Sequence, residues 1–342
     1  MAALSTNNLT LADWAKRVDP DGSTSMIAEL LSQTNEILQD CVFRPSNLPT
    51  GERLAVRTGL PTTSLRAINE GIAPTKSTTV QIDEALSIFE SRSETDKDLA
   101  MLNGNTASFR LSEDMAFLES MNQKLATTMF FGNPAVDPKE FTGLAPRYGS
   151  LSGGNSQNII DALGTGVDNA SIWLVVWGDR TVYCPFPKGS VAGLQRKDLG
   201  EQTVYNSDGT RFQALVSWFQ WKAGLAIKDW RYVVRIANID KSVLAALTTP
   251  QSPGTPFQNV MHRMMEATAR IPQINAGRPV WYMNRAVYSA LQRVGLEQSA
   301  SAALVGQAGQ QFGDAPSRMG TFQNIPIRLC DALGPNEARV VA

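Results

Sequence analysis

The stretch FQALVSWFQWKAGLAIKDWRYVVRIANI, residues 212–239, has the aromatic and β-branched composition typical of β-strands. It contains Trp218, Trp221 and Trp230 and no proline. At about 3.3 Å per residue, a single strand over 225–239 would be roughly 45–50 Å long, which exceeds the usual strand of a globular sheet. The stretch therefore predicts a long-stranded sheet in an elongated molecule. The tryptophans expected to anchor this sheet are Trp173, Trp177, Trp218, Trp221 and Trp230.

Two shorter strands are predicted upstream of this stretch. SIWLVVWG at 171–178 has bulky apolar residues at every position of the strand, which predicts burial of both faces. TVYCPFP at 181–187 follows as a second strand. From Trp230 onward the pattern changes, because Arg231 and Arg235 share one face. This alternation predicts a strand with one polar, solvent-facing side.

The composition favours a protein that meets other protein chains. A chain of 342 residues can hold two or three domains or lobes. Only 18% of its residues are charged and 43% are hydrophobic, which indicates self-association. The 31 Lys and Arg against 32 Asp and Glu produce no strong basic field, which disfavours tight sequence-independent binding of nucleic acid.

Cysteine usage and the N-terminus predict a reduced intracellular protein. Cys41, Cys184 and Cys330 are odd in number and far apart, so neither a disulfide framework nor a zinc site is expected. The N-terminus lacks a basic start and an apolar core, and no run of 18 apolar residues occurs. We therefore expect neither a secretory signal nor a membrane-spanning segment.

The first 90 residues predict an arm followed by an extended hairpin. A helix from about residue 23 would present one apolar face that needs a partner, either in its own domain or elsewhere: Met26, Ile27, Leu30, Leu31, Ile37 and Leu38. RLAVRTGLPTTSLRAI at 53–68 predicts two strands around Gly59-Leu60-Pro61, and alternation over 80–88 predicts a third, interrupted by Glu84. Such a hairpin is marginal alone, so we expect a neighbouring subunit to support it.

The clearest helix is SEDMAFLESMNQKLATTMFFG at 112–132. Ser112 suits the N-cap, and Gly132 with Pro134 ends the helix. Its apolar stripe predicts a core-facing strut, with an adaptable methionine-rich binding face as the alternative. The positions expected in the core are Met115, Leu118, Leu125 and Met129.

The last hundred residues predict an α+β lobe. Thr255 and Pro256 open a helix that ends before Pro272, and Asn284 caps a second helix that ends at Gly295. PVWYM at 279–283 and IPIRLC at 325–330 predict short strands.

Residues that carry catalysis are nearly absent. None of the common nucleophile, phosphate-binding, dinucleotide-binding or zinc motifs occurs, and the single histidine, His262, lies in a predicted amphipathic helix. We therefore assign no catalytic residue, cofactor or metal ligand. A hydrolase that joins carboxylates from distant segments remains an alternative.

The order of these parts resembles the major capsid protein of tailed double-stranded DNA bacteriophages, the fold named after phage Hong Kong 97. The resemblance is most specific to coat proteins of short-tailed phages, and it covers about residues 23–240. It is carried by IAELLSQTNEILQDCVF, RTGLPTTSLRAINEGIAPTKSTTVQIDEAL, FTGLAPRYGS and the strands from SIWLVVWG to DWRYVVRIANID.

The resemblance implies four regions: 1–48 as N-terminal arm, 49–90 as E-loop, 91–250 as peripheral P-domain with the spine helix at 112–131, and 251–342 as most of the axial A-domain. The strand block precedes the two late helices, whereas the family places the axial units first, which implies a permuted order of elements. The E-loop residues expected to contact a neighbouring subunit are Arg53, Arg57, Arg66, Glu70 and Lys76.

The implied function is self-assembly into hexamers and pentamers of an icosahedral shell around the phage genome. Because the arm starts almost at once, the resemblance implies either a separate scaffolding protein or an N-terminal segment that has already been removed. The other implied partners are a portal and decoration or cement proteins, with weak contact to packaged DNA and none to a membrane. The implied location is the virion, assembled in the bacterial cytoplasm. An encapsulin-like compartment that encloses enzymes is the alternative. Because arginines dominate the hairpin, we expect non-covalent locking of subunits rather than an isopeptide bond at Lys76.

Overall fold

A computed structural model describes residues 33–102, 106–206, 208–245, 256–297, 320–334 and 336–342. The helices are α1 (Ile37–Asp40), α2 (Lys97–Met101), α3 (Thr106–Phe131), α4 (Leu144–Arg147), α5 (Lys241–Ala245), α6 (Pro256–Arg270) and α7 (Arg285–Glu297). The strands are β1 (Phe43–Pro45), β2 (Gly51–Gly59), β3 (Thr78–Asp96), β4 (Ile159–Asp161), β5 (Asn169–Trp177), β6 (Val182–Phe186), β7 (Leu194–Tyr205), β8 (Arg211–Gly224), β9 (Ala226–Ile227), β10 (Val233–Asp240), β11 (Arg278–Met283), β12 (Thr321–Phe322) and β13 (Ile325–Leu329).

The chain forms two compact units. Of the described residues, the first unit contains 33–34 and those within 88–126 and 193–222, and the second contains those within 35–87, 127–192 and 223–342. None of the described helices is both long enough and apolar enough to cross a membrane. The four named regions inferred from the resemblance, and their permuted order, stay predictions.

In the first unit, α3 is supported by a long antiparallel ribbon. Strands β7 and β8 pair from Leu194 opposite Trp221 to Tyr205 opposite Arg211. A bulge between Asp198 and Gly200 interrupts this ladder, and Gly200 there has a φ of 70°, a conformation that glycine adopts without strain.

The first residue of helix α3 and the side of the helix that is buried both differ from the prediction. It begins at Thr106 rather than Ser112, although Gly132 follows its last residue as expected. Met115 is 51% exposed and Leu118 is half-buried, so the placement of Met115 in the core is wrong, whereas Leu125 and Met129 are buried as predicted. The buried face is rotated because it includes the polar side chain of Asp114, which hydrogen bonds hold inside the unit.

The second unit is built on a nine-stranded sheet. Its main path is β1-β6-β5-β11-β13-β12, and β10 pairs with both β5 and β4. All nine residues of β5 are buried, which confirms the predicted burial of both faces. On one face, Ile172, Leu174 and Val176 belong to a core shared with Met264 of α6 and Leu291 of α7. Burying each such side chain stabilises the unit by roughly 1.5–3 kcal/mol.

The predicted single strand over 225–239 is wrong. Strand β8 ends at Gly224, and a 3₁₀ turn at Trp230–Tyr232 separates the two-residue β9 from β10. The turn forms because the Asp229 side chain accepts a hydrogen bond from the backbone N–H of Arg231. Trp230 therefore lies in a turn and not in a strand. The predicted polar face is also wrong, since Arg235 is 4% exposed.

The C-terminal elements follow their predictions closely. Helix α6 starts at Pro256, and the Asn284 side chain caps α7 by accepting a 2.9 Å hydrogen bond from the Val287 N–H. Strand β11 includes PVWYM, and β13 includes IPIRL. Near the N-terminus, the predicted continuous helix is wrong across residues 33–36, which are not helical, whereas Ile37 and Leu38 do lie in a helix, α1. Its other apolar positions, 26–31, lie outside the described residues.

Candidate assembly surfaces

The most exposed part of the second unit is a long hairpin. Strand β2 pairs with β3 in antiparallel register from Gly51 opposite Ala85 to Gly59 opposite Thr78. Residues 60–77, called the loop below, contain no helix or strand, and each is exposed. The strand predicted over 62–68 is therefore wrong. Three large apolar side chains in the loop are almost fully exposed to solvent: Leu60 at 81%, Leu65 at 100% and Ile68 at 92%. Clustered exposure of this kind is typical of an interaction surface.

The predicted contact residues lie along this hairpin. Arg53 pairs with Asp83 of the same chain at 2.7 Å, and this hydrogen bond lowers the pKa of Asp83. In the loop, Arg66 donates to the Ala67 carbonyl, and Glu70 accepts from the Ala67 N–H at 3.1 Å. Arg57 and Lys76 are exposed. All five predicted contact residues thus lie at the surface, and Arg53 forms an ion pair within its own chain.

Arg57 also lines a groove beside the hairpin. The groove has a volume of about 620 Å³ and is lined by residues 55–60, Arg180 and residues 228–231. Within it, Arg231 is already paired with Asp229 at 2.7 Å. Arg57 and Arg180 are exposed there, which makes the groove a cationic surface suited to an acidic side chain.

The base of the hairpin is fixed by two buried carboxylates. Glu52 and Glu84 face each other across the strand pair, at 6% and 5% exposure. Glu84 forms two 2.6 Å hydrogen bonds with the guanidinium of Arg147 in α4. Glu52 accepts from the hydroxyl of Tyr183 at 2.8 Å and from the N–H of Asn47 at 2.7 Å. Each carboxylate therefore has its own partner, which offsets their repulsion and anchors both strands.

The anchor includes the FTGLAPRYGS segment that supported the sequence resemblance. Arg147 also donates to the Thr142 carbonyl at 3.1 Å. Tyr148 is fully buried, donates its hydroxyl to the Trp230 carbonyl at 2.8 Å, and meets Trp173 edge to face. Burial raises the pKa of the Tyr148 hydroxyl. The segment thus joins the hairpin base to the central sheet.

A second buried ion pair holds the C-terminal residues against the sheet. Arg235 binds Glu337 at 2.8 Å, and both side chains are about 5% exposed or less. The same guanidinium donates to Ser171 and to the Tyr148 carbonyl. Val340 is tied to Asn238 by its N–H at 2.8 Å. Because a buried charge needs such partners, this network fixes the path of residues 336–342.

In the first unit, ionic groups join α3 to the β7–β8 ribbon. Arg110 forms a two-bond pair with Asp198 at 2.8 and 3.1 Å, and the bond from Arg110 lowers the pKa of Asp198. The buried carboxylate of Asp114 accepts from Arg196 at 2.7 Å and from Ser217 at 3.1 Å. These contacts position the helix on the ribbon.

The five predicted anchor tryptophans divide into two groups. Trp173 and Trp177 are buried in β5, and Trp177 donates to the hydroxyl of Tyr282 at 2.7 Å. Trp218, Trp221 and Trp230 are only partly buried. Trp218 donates its ring N–H to Glu90 at 2.6 Å, and this bond lowers the pKa of Glu90. Trp173 and Trp177 therefore stabilise the core, whereas the other three side chains are partly exposed to solvent.

Nothing in the described part of the chain resembles a catalytic or metal centre. No group of three or more His, Cys, Asp or Glu among the described residues could hold a metal ion. The three cysteines are buried and form no disulfide, and burial raises the pKa values of the Cys41 and Cys330 thiols. His262 is exposed on α6.

Sequence reasoning missed the residues that fix the hairpin and the C-terminus: Glu52, Glu84, Arg147, Arg235 and Glu337. The sequence did contain one sign of the buried Glu84, because this residue interrupts an otherwise regular apolar alternation in β3. An acidic residue at an inward position indicates a buried partner. No comparable local signal marks Glu337, whose partner Arg235 is 102 residues away.

Comparisons with known proteins agree with this architecture. The family model described as major capsid protein GP7 matches residues 19–341. A near-atomic cryo-EM structure of bacteriophage Epsilon15 contains a chain that is 30% identical, with a TM-score of 0.75, over 100% of this chain and 99% of that chain. The capsid of bacteriophage JBD30 matches over 93% of this chain and 99% of its own, with a TM-score of 0.50 and 10% identity, and shows the fold alone. No curated protein sequence matches.

An encapsulin complex from Synechococcus elongatus is also similar, at 11% identity over 68% of this chain and 97% of its own. The TM-score of this match is 0.43.

Proposed function

The chain belongs to the family of major capsid protein GP7, and from this premise we propose that its copies form the hexamers and pentamers of an icosahedral shell around a phage double-stranded DNA genome. It is a phage major capsid protein with the Hong Kong 97-like fold, and it self-assembles into the capsid of the virion. The alternative of an encapsulin-like compartment is not favoured, because the matching family model is that of a phage capsid protein.

The exposed loop carries the proposal of how neighbouring subunits meet. Leu65 and Ile68 are almost fully exposed on a loop of 18 residues, 60–77, while the base of the same hairpin is held by buried ion pairs and hydrogen bonds. A rigid base with an uncovered apolar tip suits a segment that lies across an adjacent subunit. Residues 49–90 would then act as the E-loop of the family.

Charged hairpin residues would make this contact specific. Arg57, Arg66, Glu70 and Lys76 are exposed. In the proposed contact they meet opposite charges on the neighbour. Each exposed pair adds only about 0.2–1 kcal/mol, but the contact repeats around the shell. Locking is therefore non-covalent, and Lys76 forms no isopeptide bond.

The protein's role is structural and not catalytic. Its further partners are a scaffolding protein, a portal and decoration or cement proteins, and assembly takes place in the bacterial cytoplasm. Contact with packaged DNA is weak, because a formal net charge of −1 supplies no strong attraction to phosphates.

Assembly of two matched loop variants tests the proposal. Leu65→Asp with Ile68→Asp places charge on the exposed apolar side chains, and Ser64→Asp with Asn69→Asp adds the same charge at polar loop positions. Both variants should fold, because all four side chains are exposed. Electron microscopy and sedimentation should find shells for the polar-site variant and only small species for the apolar-site variant. Equal yields of shells would refute the role of the loop.

A further inference from the structure

The exposed side of α3 carries an apolar stripe that the described chain leaves uncovered. Leu111 is 54% exposed, Met115 is 51% exposed and Leu118 is half-buried. Positions i, i+4 and i+7 of a helix lie on one face, so these three side chains form a continuous stripe. It borders the buried face that contains Met121 and Leu125. A soluble helix rarely leaves such a face without a partner.

The N-terminal part of the chain arrives beside this stripe. The backbone N–H of Gln33 donates to the Glu119 side chain at 2.8 Å. Glu119 follows Leu118 directly and lies four residues, or about 6 Å along the helix axis, from Met115. The Glu119 carboxylate is held in place by Gln123, which donates to it at 2.8 Å. Residue 33 is therefore fixed at the edge of the stripe.

The residues just before Gln33 have the complementary composition. Met26, Ile27, Leu30 and Leu31 recur in the sequence at the spacing that predicts one apolar face of a helix. Leu30 is three residues from the fixed position and Ile27 is six. At about 1.5 Å per residue, a helical segment from Gln33 back to Met26 would be about 10 Å long, which is comparable with the roughly 6–12 Å along α3 that separates Glu119 from Met115 and Leu111.

We propose that residues 26–31 of the same chain cover the stripe formed by Leu111, Met115 and Leu118. The bond between Gln33 and Glu119 sets where this segment meets α3, and apolar contact between the two faces holds it there. The beginning of the chain is thereby attached to α3 of its own subunit, before the chain continues to the central sheet through α1. This inference does not depend on how subunits meet one another.

Photo-crosslinking in assembled particles tests the proposal directly. A benzophenone amino acid at position 115 should form cross-links to peptides that contain residues 26–31. The same group at Ser120, an exposed position on the far side of α3, serves as the matched control and should not reach that segment. Particles assembled from mixed light and heavy isotope-labelled chains distinguish attachment within one chain from exchange between chains.

Cross-linked peptide pairs of matched isotope content would support the proposal. Pairs of mixed content would overturn it in favour of exchange with a second copy. Links to any other protein, or none to residues 26–31, would also overturn it.

Methionine oxidation provides an independent measurement. If the segment covers the stripe, Ile27→Asp with Leu30→Asp should make peroxide oxidation of Met115 several-fold faster. The rate at Met265, which is 44% exposed on α6, should not change, and Leu9→Asp with Leu11→Asp should leave both rates as they are in the parent protein. An unchanged rate at Met115 in the first variant would contradict the proposal.

Discussion

Strand β5 and the hairpin loop lie in the same unit and both contain large apolar residues, but they use them in opposite ways. All nine residues of β5 are buried, with Trp173 and Trp177 fully enclosed. Every residue of 60–77 is exposed, including Leu65 and Ile68. The first segment stabilises the subunit, whereas the second contributes little to its folding. In the proposed assembly, stability and subunit contact therefore depend on separate residues and can be changed separately.

The hairpin base is the point where these two regions are joined. Glu84 connects β3 to α4 through Arg147, and Glu52 connects β2 to Tyr183 in β6. Leu54 packs with Tyr183 and Ala226 in a small apolar cluster beside these bonds. The loop can be exposed without disturbing the sheet, because the strands that carry it are fixed before it begins.

The largest loss of stability is expected from Arg235→Met. The substitution leaves the Glu337 carboxylate buried without its cation, which typically costs about 3–5 kcal/mol. Arg235→Met with Glu337→Met should recover much of this loss, because no charge is then left unpaired. Chemical denaturation of unassembled subunits measures both. If the double variant were as unstable as the single one, the ion pair would not be the reason for the loss.

Two substitutions in α3 should differ strongly. Leu125→Ala removes a side chain that is 1% exposed and should cost about 2–5 kcal/mol. Met115→Ala changes a side chain on the other face, where the proposed cover by residues 26–31 is its main contact, and should cost much less. Equal losses in the free energy of unfolding would mean that the buried face of α3 has been assigned wrongly.

At the hairpin base, Arg147→Met should cost about 1–3 kcal/mol or more, because Glu84 loses both of its hydrogen bonds. Amide exchange of residues 51–56 should become faster, since β2 is paired with the strand that carries Glu84. Arg53→Met is the control, because its partner Asp83 is exposed and such pairs contribute at most about 1 kcal/mol. Similar effects of the two substitutions would contradict the distinction between a fixed base and an exposed surface.

Acid should weaken the contact between α3 and the ribbon by a smaller amount. Arg110 lowers the folded-state pKa of Asp198, so its contribution is present above the ordinary aspartate pKa of about 3.9 and is lost as the pH falls through the lowered value. The difference in melting temperature between the parent and Asp198→Asn should therefore shrink below about pH 4. In an Arg110→Met background this pH dependence should become weaker, because only the Gly200 N–H and the Arg196 charge then lower the pKa of Asp198, and an unchanged pH dependence would assign it to another group.

Much of the central sheet could be predicted, because the burial and conformation of its residues follow from local sequence patterns. The apolar run of β5, the proline that starts α6 and the Asn284 cap each depend on neighbours within a few positions. The backbone around Trp230 could not be predicted correctly, because a hydrogen bond that the Asp229 side chain accepts from the Arg231 N–H replaces the extended backbone with a turn.

Other features depended on contacts between distant residues. The rotated face of α3 follows from Asp114, which is buried only because Arg196 and Ser217 come from strands about 80–100 positions away. Arg235 is a second example. The alternation of the sequence predicts that it faces solvent, but it is buried because it forms an ion pair with Glu337. Charged residues in the core are the positions where local patterns fail, since their burial requires a specific distant partner.

The structure of an assembled shell tests the central claim most directly. In a cryo-EM reconstruction of particles formed by this chain, residues 60–77 should lie on an adjacent subunit, with Leu65 and Ile68 covered. Arg57 or Arg66 should lie within about 4 Å of a carboxylate of that subunit, as expected for an ion pair. A loop that stays exposed to solvent in the closed shell would contradict the account, and so would a covalent bond between Lys76 and a neighbouring subunit.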